Sequence, residues 1–431
     1  MKILKIATAL LLVLCIVSPL ASQQEVFIGI KEGMPMIPVA LPDLTLTSAS
    51  PAAEAVKSEL YETLWSDLEF SRVFAMIPRE HYSYIKKLDP NHILFKDWES
   101  IQANVLIVGE LEVSAQDRLI LTFKVFEVKS QRFIFGRNFG GKKEFVRLIA
   151  HRAADEMMKY FGEKPIFNSK ISFVSTRDGN AEIYFMDYDG SRQQRITHNE
   201  AIEILPTWSI DNEKVLYTSY RNNSPDLYMF HLYTGKTDVL ARGRANYAAD
   251  WSNEGDKLVY TSTKSGNAEI YVRDMRTGKE KRLTFNGVID STPCWSPNGR
   301  EIAFTSQRSG SPQIYIMDAE GTNVRRITFE GTYHDSPAWS PDGSRIAYVS
   351  RIEGRFDVYI YYLRTNSYIK ITENAGRNEN PTWSPDGRHL AFASNRSGSY
   401  QIYLVDYDGR NLRRITSRGE NKMPSWQKKV R

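Results

Sequence analysis

The sequence predicts an α/β domain followed by an all-β, six-bladed propeller whose last Trp strand closes the first blade. Three observations predict it: an aromatic repeat near 44 residues, one blade divided between the two ends of the repeat region, and a leading segment without the repeat.

The first residues read as a secretory leader. Lys2 and Lys5 precede an apolar run from Ile6 to Val17, and Pro19 and Ala21-Ser22 close it. Such a run falls short of the roughly 20 residues that a membrane-spanning helix requires. Leu14, before Cys15, is larger than a lipid-attachment site accepts. Cleavage after residue 22 leaves Cys294 as the sole cysteine, so no internal disulfide can form. Removing Lys2 and Lys5 with the leader brings the formal charge from +5 to +3, too weak to point to nucleic acid. The apolar fraction (42%) and charged fraction (25%) exclude a disordered chain.

Residues 23–165 form the α/β domain. Glu25 to Ile30 alternates like a strand, and Ala52 to Leu68 places Val56, Leu60, Leu64 and Leu68 at helical spacing. Residues 104–113, 119–128 and 132–139 read as an antiparallel meander. A second helix over 145–161 stops at Gly162 and Pro165. The connection is short, so the two domains can pack together.

Residues 166–431 form the propeller. Trp208, Trp251, Trp295, Trp339, Trp383 and Trp426 are spaced 43, 44, 44, 44 and 43 apart. Tyr184, Tyr228, Tyr271, Tyr315, Tyr359 and Tyr403 repeat in a second register. In the clearest units, Pro-x-Trp-Ser marks an inner strand. Pro-Asp-Gly or Pro-Asn-Gly (297–299, 341–343, 385–387) then makes the tight turn, with glycine in its left-handed position. Residues 170–197 supply three strands of a unit without its Trp strand, and residues 423–427 supply a Trp strand alone. Joining them makes six blades and closes the ring, which removes the open edges that a linear array would expose.

Propellers carry function where inner strands begin. The residues five and four before each Trp are Glu203/Ile204, Asn246/Tyr247, Asp290/Ser291, His334/Asp335, Asn378/Glu379 and Asn421/Lys422. Four blades thus offer a carboxylate to one mouth, enough for an electronegative funnel that attracts a basic partner or a calcium ion. Tyr247, Tyr333 and His334 are the expected amphipathic contacts. The tryptophans recur at one position per blade, which marks packing between blades rather than a binding surface. The basic segments 281–284, 325–328 and 413–416 belong to outermost strands, where charge blocks edge pairing; binding to anionic lipid or peptidoglycan is the sharper reading.

An enzyme finds little support. Gly-x-Ser-x-Gly, His-Glu-x-x-His, His-x-His and a Gly-rich phosphate loop are all absent. The remaining enzymatic alternative is a glycoside hydrolase using two mouth carboxylates, or another extracellular sugar- or peptide-binding enzyme.

The WSPDG units, the helix IAHRAADEMMKYFGE (149–163) and the step FNSKISFVSTRDG (167–179) resemble the TolB family of periplasmic Tol–Pal proteins across the whole mature chain. The resemblance implies a monomeric, non-enzymatic periplasmic scaffold. It would bind the peptidoglycan-associated lipoprotein Pal at a propeller mouth and the inner-membrane protein TolA through its N-terminal segment or domain. It would serve outer-membrane integrity and envelope constriction at division. The partner-binding set is then Glu203, Asn246, Tyr247, Asp290, Ser291, Tyr333, His334, Asp335, Asn378 and Glu379, with Glu25, Val26, Phe27 and Ile28 as an N-terminal arm. No cofactor is implied.

Overall fold

A computed structural model of the chain describes residues 35–47, 50–85, 88–114, 116–352, 354–373 and 375–429. The expected leader and the arm Glu25–Ile30 lie outside them.

The N-terminal domain has strands β1 (Ile37–Ala40) and β2 (Thr45–Leu46), then helix α1 (Pro51–Phe70) and strand β3 (Phe74–Met76). A short helix α2 (Phe95–Ser100) leads into β4 (Val105–Val113), β5 (Arg118–Glu127) and β6 (Arg132–Lys142), and α3 (Val146–Tyr160) ends the domain. Ser50 caps α1 by accepting from the Ala53 N–H at 3.1 Å, and Pro51 occupies the first turn, where its missing N–H costs nothing. The expected meander is present as β4–β5–β6. It is extended by β1 and β3, which pair in parallel, in the order β3-β1-β4-β5-β6.

Alternation along β4 sends Val105 and Ile107 toward α1 and α3, and Leu106 and Val108 toward Trp98 of α2. Both faces of β4 are therefore buried along its first half, whereas β5 turns Ile120 outward to solvent. The core under α1 and α3 does not stop at the domain boundary. Leu68, Phe70 and Phe161 belong to the same buried cluster as Phe173, Tyr188 and Trp426 of the propeller.

Six four-stranded antiparallel sheets form the ring. The blades cover residues 203–241, 246–282, 290–326, 333–370 and 378–414. The sixth joins Asn421–Trp426 to Lys170–Ser175, with Trp426 opposite Ile171. Trp208 donates its indole N–H to the Ser425 carbonyl at 3.0 Å, and Trp383 donates to that of Ala338 at 3.0 Å. Both bonds cross a blade boundary, so these tryptophans knit neighbouring blades.

Each inner strand is broken at one position. Leu205, Ala248, Thr292, Ser336, Asn380 and Met423, three residues before each Trp, have φ between 47° and 55°. The strand register shifts there in all six blades. Proline follows in five of them (206, 293, 337, 381, 424), and its missing N–H suits a point where the ladder is interrupted. This bulge bends each inner strand around the channel.

The domains meet at the end of the propeller where inner strands finish. His151 of α3 sits between Asp67 of α1 (Nδ1–Oδ2 2.7 Å) and Asp189 of the propeller (Nε2–Oδ2 3.5 Å). Tyr188 donates to Asp67 at 2.5 Å, and Arg147 pairs with Asp189. Arg72 reaches Asp406 at 2.8 Å, while Phe70 stacks on His389 at 3.8 Å between ring centres. Gly190, in the turn that carries Tyr188 and Asp189, has φ +90°, and a Cβ there would collide with the Ile415 carbonyl.

Candidate functional site: the open propeller mouth

The inner strands begin at the mouth away from the N-terminal domain. Here the structure separates the two positions that the sequence reading grouped. Glu203, Asn246, Asp290, His334, Asn378 and Asn421 are buried. Glu203 accepts from Arg221 at 3.1 Å, Ser219 at 3.1 Å and Asn199 at 2.6 Å. Asp290 accepts from Arg308 at 2.9 Å. Asn378 and Asn421 meet Arg396 and Arg177 in the same way, at 2.8 and 2.9 Å.

Each of these arginines lies over a tyrosine of its own blade: Arg221 on Tyr228, Arg308 on Tyr315, Arg396 on Tyr403 and Arg177 on Tyr184. The position is a repeated internal clasp, not a rim. Burial pushes the Glu203 carboxyl up, and Arg221 pulls it back. His334 turns its Nε2 to the Glu330 carbonyl, and burial lowers its pKa.

The next residue in each blade faces the mouth and is half-buried: Ile204, Tyr247, Ser291, Asp335, Glu379 and Lys422. The expected funnel of four carboxylates therefore reduces to Asp335 and Glu379. Asp335 accepts from Thr292 (2.9 Å), Thr305 (2.8 Å), the Ser336 N–H (2.7 Å) and the Tyr333 hydroxyl (3.0 Å). Burial, followed by Asp335, raises the pKa of Tyr333. Glu379 pairs with Arg377 at 3.2 Å, and Lys422 with Glu420 at 3.1 Å.

Around the mouth the surface has two characters. Over the first four blades stand Ile202, Tyr220, Ile289, Phe285 and Phe329, the last two 73% and 70% exposed. Arg282 and Arg326 underlie those two phenylalanine rings at 4.7 and 5.1 Å. Over the last two blades stand Arg377, Glu379, Glu420 and Lys422. The sequence reading missed Phe285 and Phe329. Their signal was present in Arg-Leu-Thr-Phe and Arg-Ile-Thr-Phe, where an aromatic follows an outermost strand in two consecutive units.

Among the described residues, one His/Asp group is dense enough for a metal: His151, Asp187 and Asp189, at the domain interface. Its charge is already met by Arg147, Lys170 and Arg192.

The family model for the TolB beta propeller domain matches residues 158–351 and 332–430, and the model for the TolB amino-terminal domain matches residues 28–134. The chain belongs to the TolB family. Curated relatives in the family are named Tol-Pal system protein TolB. That of Desulfosudis oleivorans is 35% identical over 246 residues, covering 56% of this chain and 55% of the relative. That of Ruegeria sp. is 32% identical over 216 residues, covering 49% and 48%. The chain thus spans about half the length of the curated relatives it matches. A crystal structure of TolB from Acinetobacter baumannii superposes with a TM-score of 0.76 at 24% identity, covering 91% of this chain and 97% of that one, and supports the fold.

Proposed function

We propose that the protein is a non-enzymatic scaffold of the Tol–Pal system. It works in the periplasm, holding the lipoprotein Pal at the open propeller mouth and engaging TolA through the N-terminal segment Glu25–Ile28 and its domain. In that role it couples the inner membrane to the outer during constriction and preserves outer-membrane integrity. Family membership and the names of the relatives support the system.

The observation that carries the mouth reading is its two-sided surface. Exposed Phe285 and Phe329 follow the outermost strands of the second and third blades, and a charged arc containing Glu379 and Lys422 lies over the fifth and sixth. Aromatic anchors next to a polar rim are the anatomy of a protein–protein contact. The carboxylates fit acid/base catalysis poorly, because Glu203 and Asp290 are buried in ion pairs and Asp335 already accepts four hydrogen bonds. Affinity capture from an envelope extract with the full mature chain is the test. Recovery of Pal, lost with Phe329→Glu, supports the reading; capture without Pal overturns it.

A further inference from the structure

The opposite half of the channel has different chemistry. Below the bulges lies a cavity of about 580 Å³, within the range of small-molecule sites. Nine prolines and five tryptophans line it, so its wall is apolar and stiff. Asp250 is the one acidic residue in the lining, against three lysines at the rim: Lys164 from the domain connection and Lys428 and Lys429 from the C-terminal tail.

The tail crosses this mouth as a strap. Lys428 leaves the sixth blade and donates to Asp250 Oδ1 at 2.7 Å and the Trp251 carbonyl at 3.1 Å, both in the second blade. Asn212, between them, donates to the Lys429 carbonyl at 2.8 Å. Among the described residues, the indole N–H groups of Trp251 and Trp295 lack an acceptor, whereas those of Trp208, Trp339, Trp383 and Trp426 have one.

We propose that this half of the channel is a binding site for a ligand with an apolar body and a single carboxylate. The body packs on the proline and tryptophan wall. The carboxylate sits at the lysine rim, sharing Lys428 with Asp250 and drawing on Lys164. The excess of cations at the rim favours an anion, and the apolar wall disfavours sugars and polyanions. Two sources present this chemistry, a free long-chain carboxylate and the C-terminus of an apolar peptide. The site is separate from the open mouth, so it stands whether or not Pal binds there.

The experiment titrates the full mature chain with dodecanoate, with dodecanol, and with an apolar tetrapeptide carrying a free or an amidated C-terminus. Tryptophan fluorescence and calorimetry read binding. Dodecanoate should bind with a Kd of about 100 μM or tighter, dodecanol at least ~10-fold more weakly, and Lys164→Gln/Lys428→Gln should lose ~10-fold or more. Ala249→Phe, which fills the channel, should abolish binding; where that variant fails to fold, the lysine pair on the surface decides. Binding of the free tetrapeptide but not its amide assigns a peptide terminus; binding of dodecanoate alone assigns a free carboxylate. Failure of both ligands to bind below ~1 mM, or affinities unchanged in the lysine variant, would overturn the proposal.

Discussion

His151 of the N-terminal domain and Asp189 of the propeller face each other at 3.5 Å across the domain boundary, their side chains 1% and 9% exposed. Burial opposes a charge on the imidazole, but Asp67 and Asp189 outweigh it and push its pKa up to about 10. The same contacts hold the Asp189 carboxyl well below the usual range despite its burial. His151 thus sits between two acidic groups, one from each domain; burial pushes the Asp67 carboxyl up while His151 pulls it down, and the triad clamps the domains together. Removing one member of a buried charge group typically costs about 3–5 kcal/mol. We expect His151→Leu to lower stability by that order and to split a single calorimetric unfolding transition into two. A variant that still unfolds in one unshifted transition would contradict the clamp.

The same contact sets a pH dependence. A raised histidine pKa stabilises fully below the unfolded value of 6.5 and loses its contribution as pH rises toward 10. The depressed Asp189 works the other way: its contribution is present above the ordinary carboxylate value of 3.8 and is lost in stronger acid. The melting temperature should therefore fall between pH 6.5 and 10 in the wild type, and that slope should flatten in His151→Leu. Parallel pH profiles would show that other groups govern the alkaline limb.

Glu203 and Asp290 separate stability from binding. Each is fully buried against an arginine that stacks on a tyrosine. Glu203→Ala leaves Arg221 without its carboxylate and should cost about 3–5 kcal/mol in denaturant midpoint titrations. Glu379→Ala, at the half-exposed rim, should cost less than about 1 kcal/mol. A reversed order would mean that the rim, not the clasp, holds the blade.

The blade count was legible because Trp and Tyr recur every 43 or 44 residues within short alternating strands, and because the half-units at the two ends complement each other. The arrangement of side chains at the mouth was legible only in part. Residues five and four before each Trp were grouped, yet strand alternation puts them on opposite faces. Alternation alone does not say which of the two is buried, and for Glu203/Ile204 polarity points the wrong way, because Arg221 draws the carboxylate inward. The bulge was hidden because Leu205, Ala248, Thr292, Ser336, Asn380 and Met423 share a backbone conformation but no side-chain type. The His151 clamp was hidden for another reason. Its partners Asp67 and Asp189 lie far away in sequence, and nothing local marks them. Helices α1 and α3 and the meander showed through by periodicity. Strands β1 and β3, with three or four residues each, were too short to show one.

The bulge carries its own prediction. A non-glycine residue in the left-handed region costs about 1–2 kcal/mol. Ala→Gly in a regular strand normally destabilises by about 0.5–1 kcal/mol. At Ala248, with φ 50°, relief of strain should cancel or reverse that sign. Ala248→Gly is expected to be neutral to about 1 kcal/mol stabilising by denaturant titration. A full loss would mean that the bulge is relaxed, not strained.

The scaffold reading is tested most directly by calorimetric titration of the full mature chain with the soluble domain of Pal from the same cell. One-to-one binding is expected, weakened at least ~10-fold by Phe285→Ser/Phe329→Ser and by Glu379→Lys, and unchanged by Lys428→Gln at the far mouth. Absence of binding by the folded wild-type chain would contradict the account at its centre.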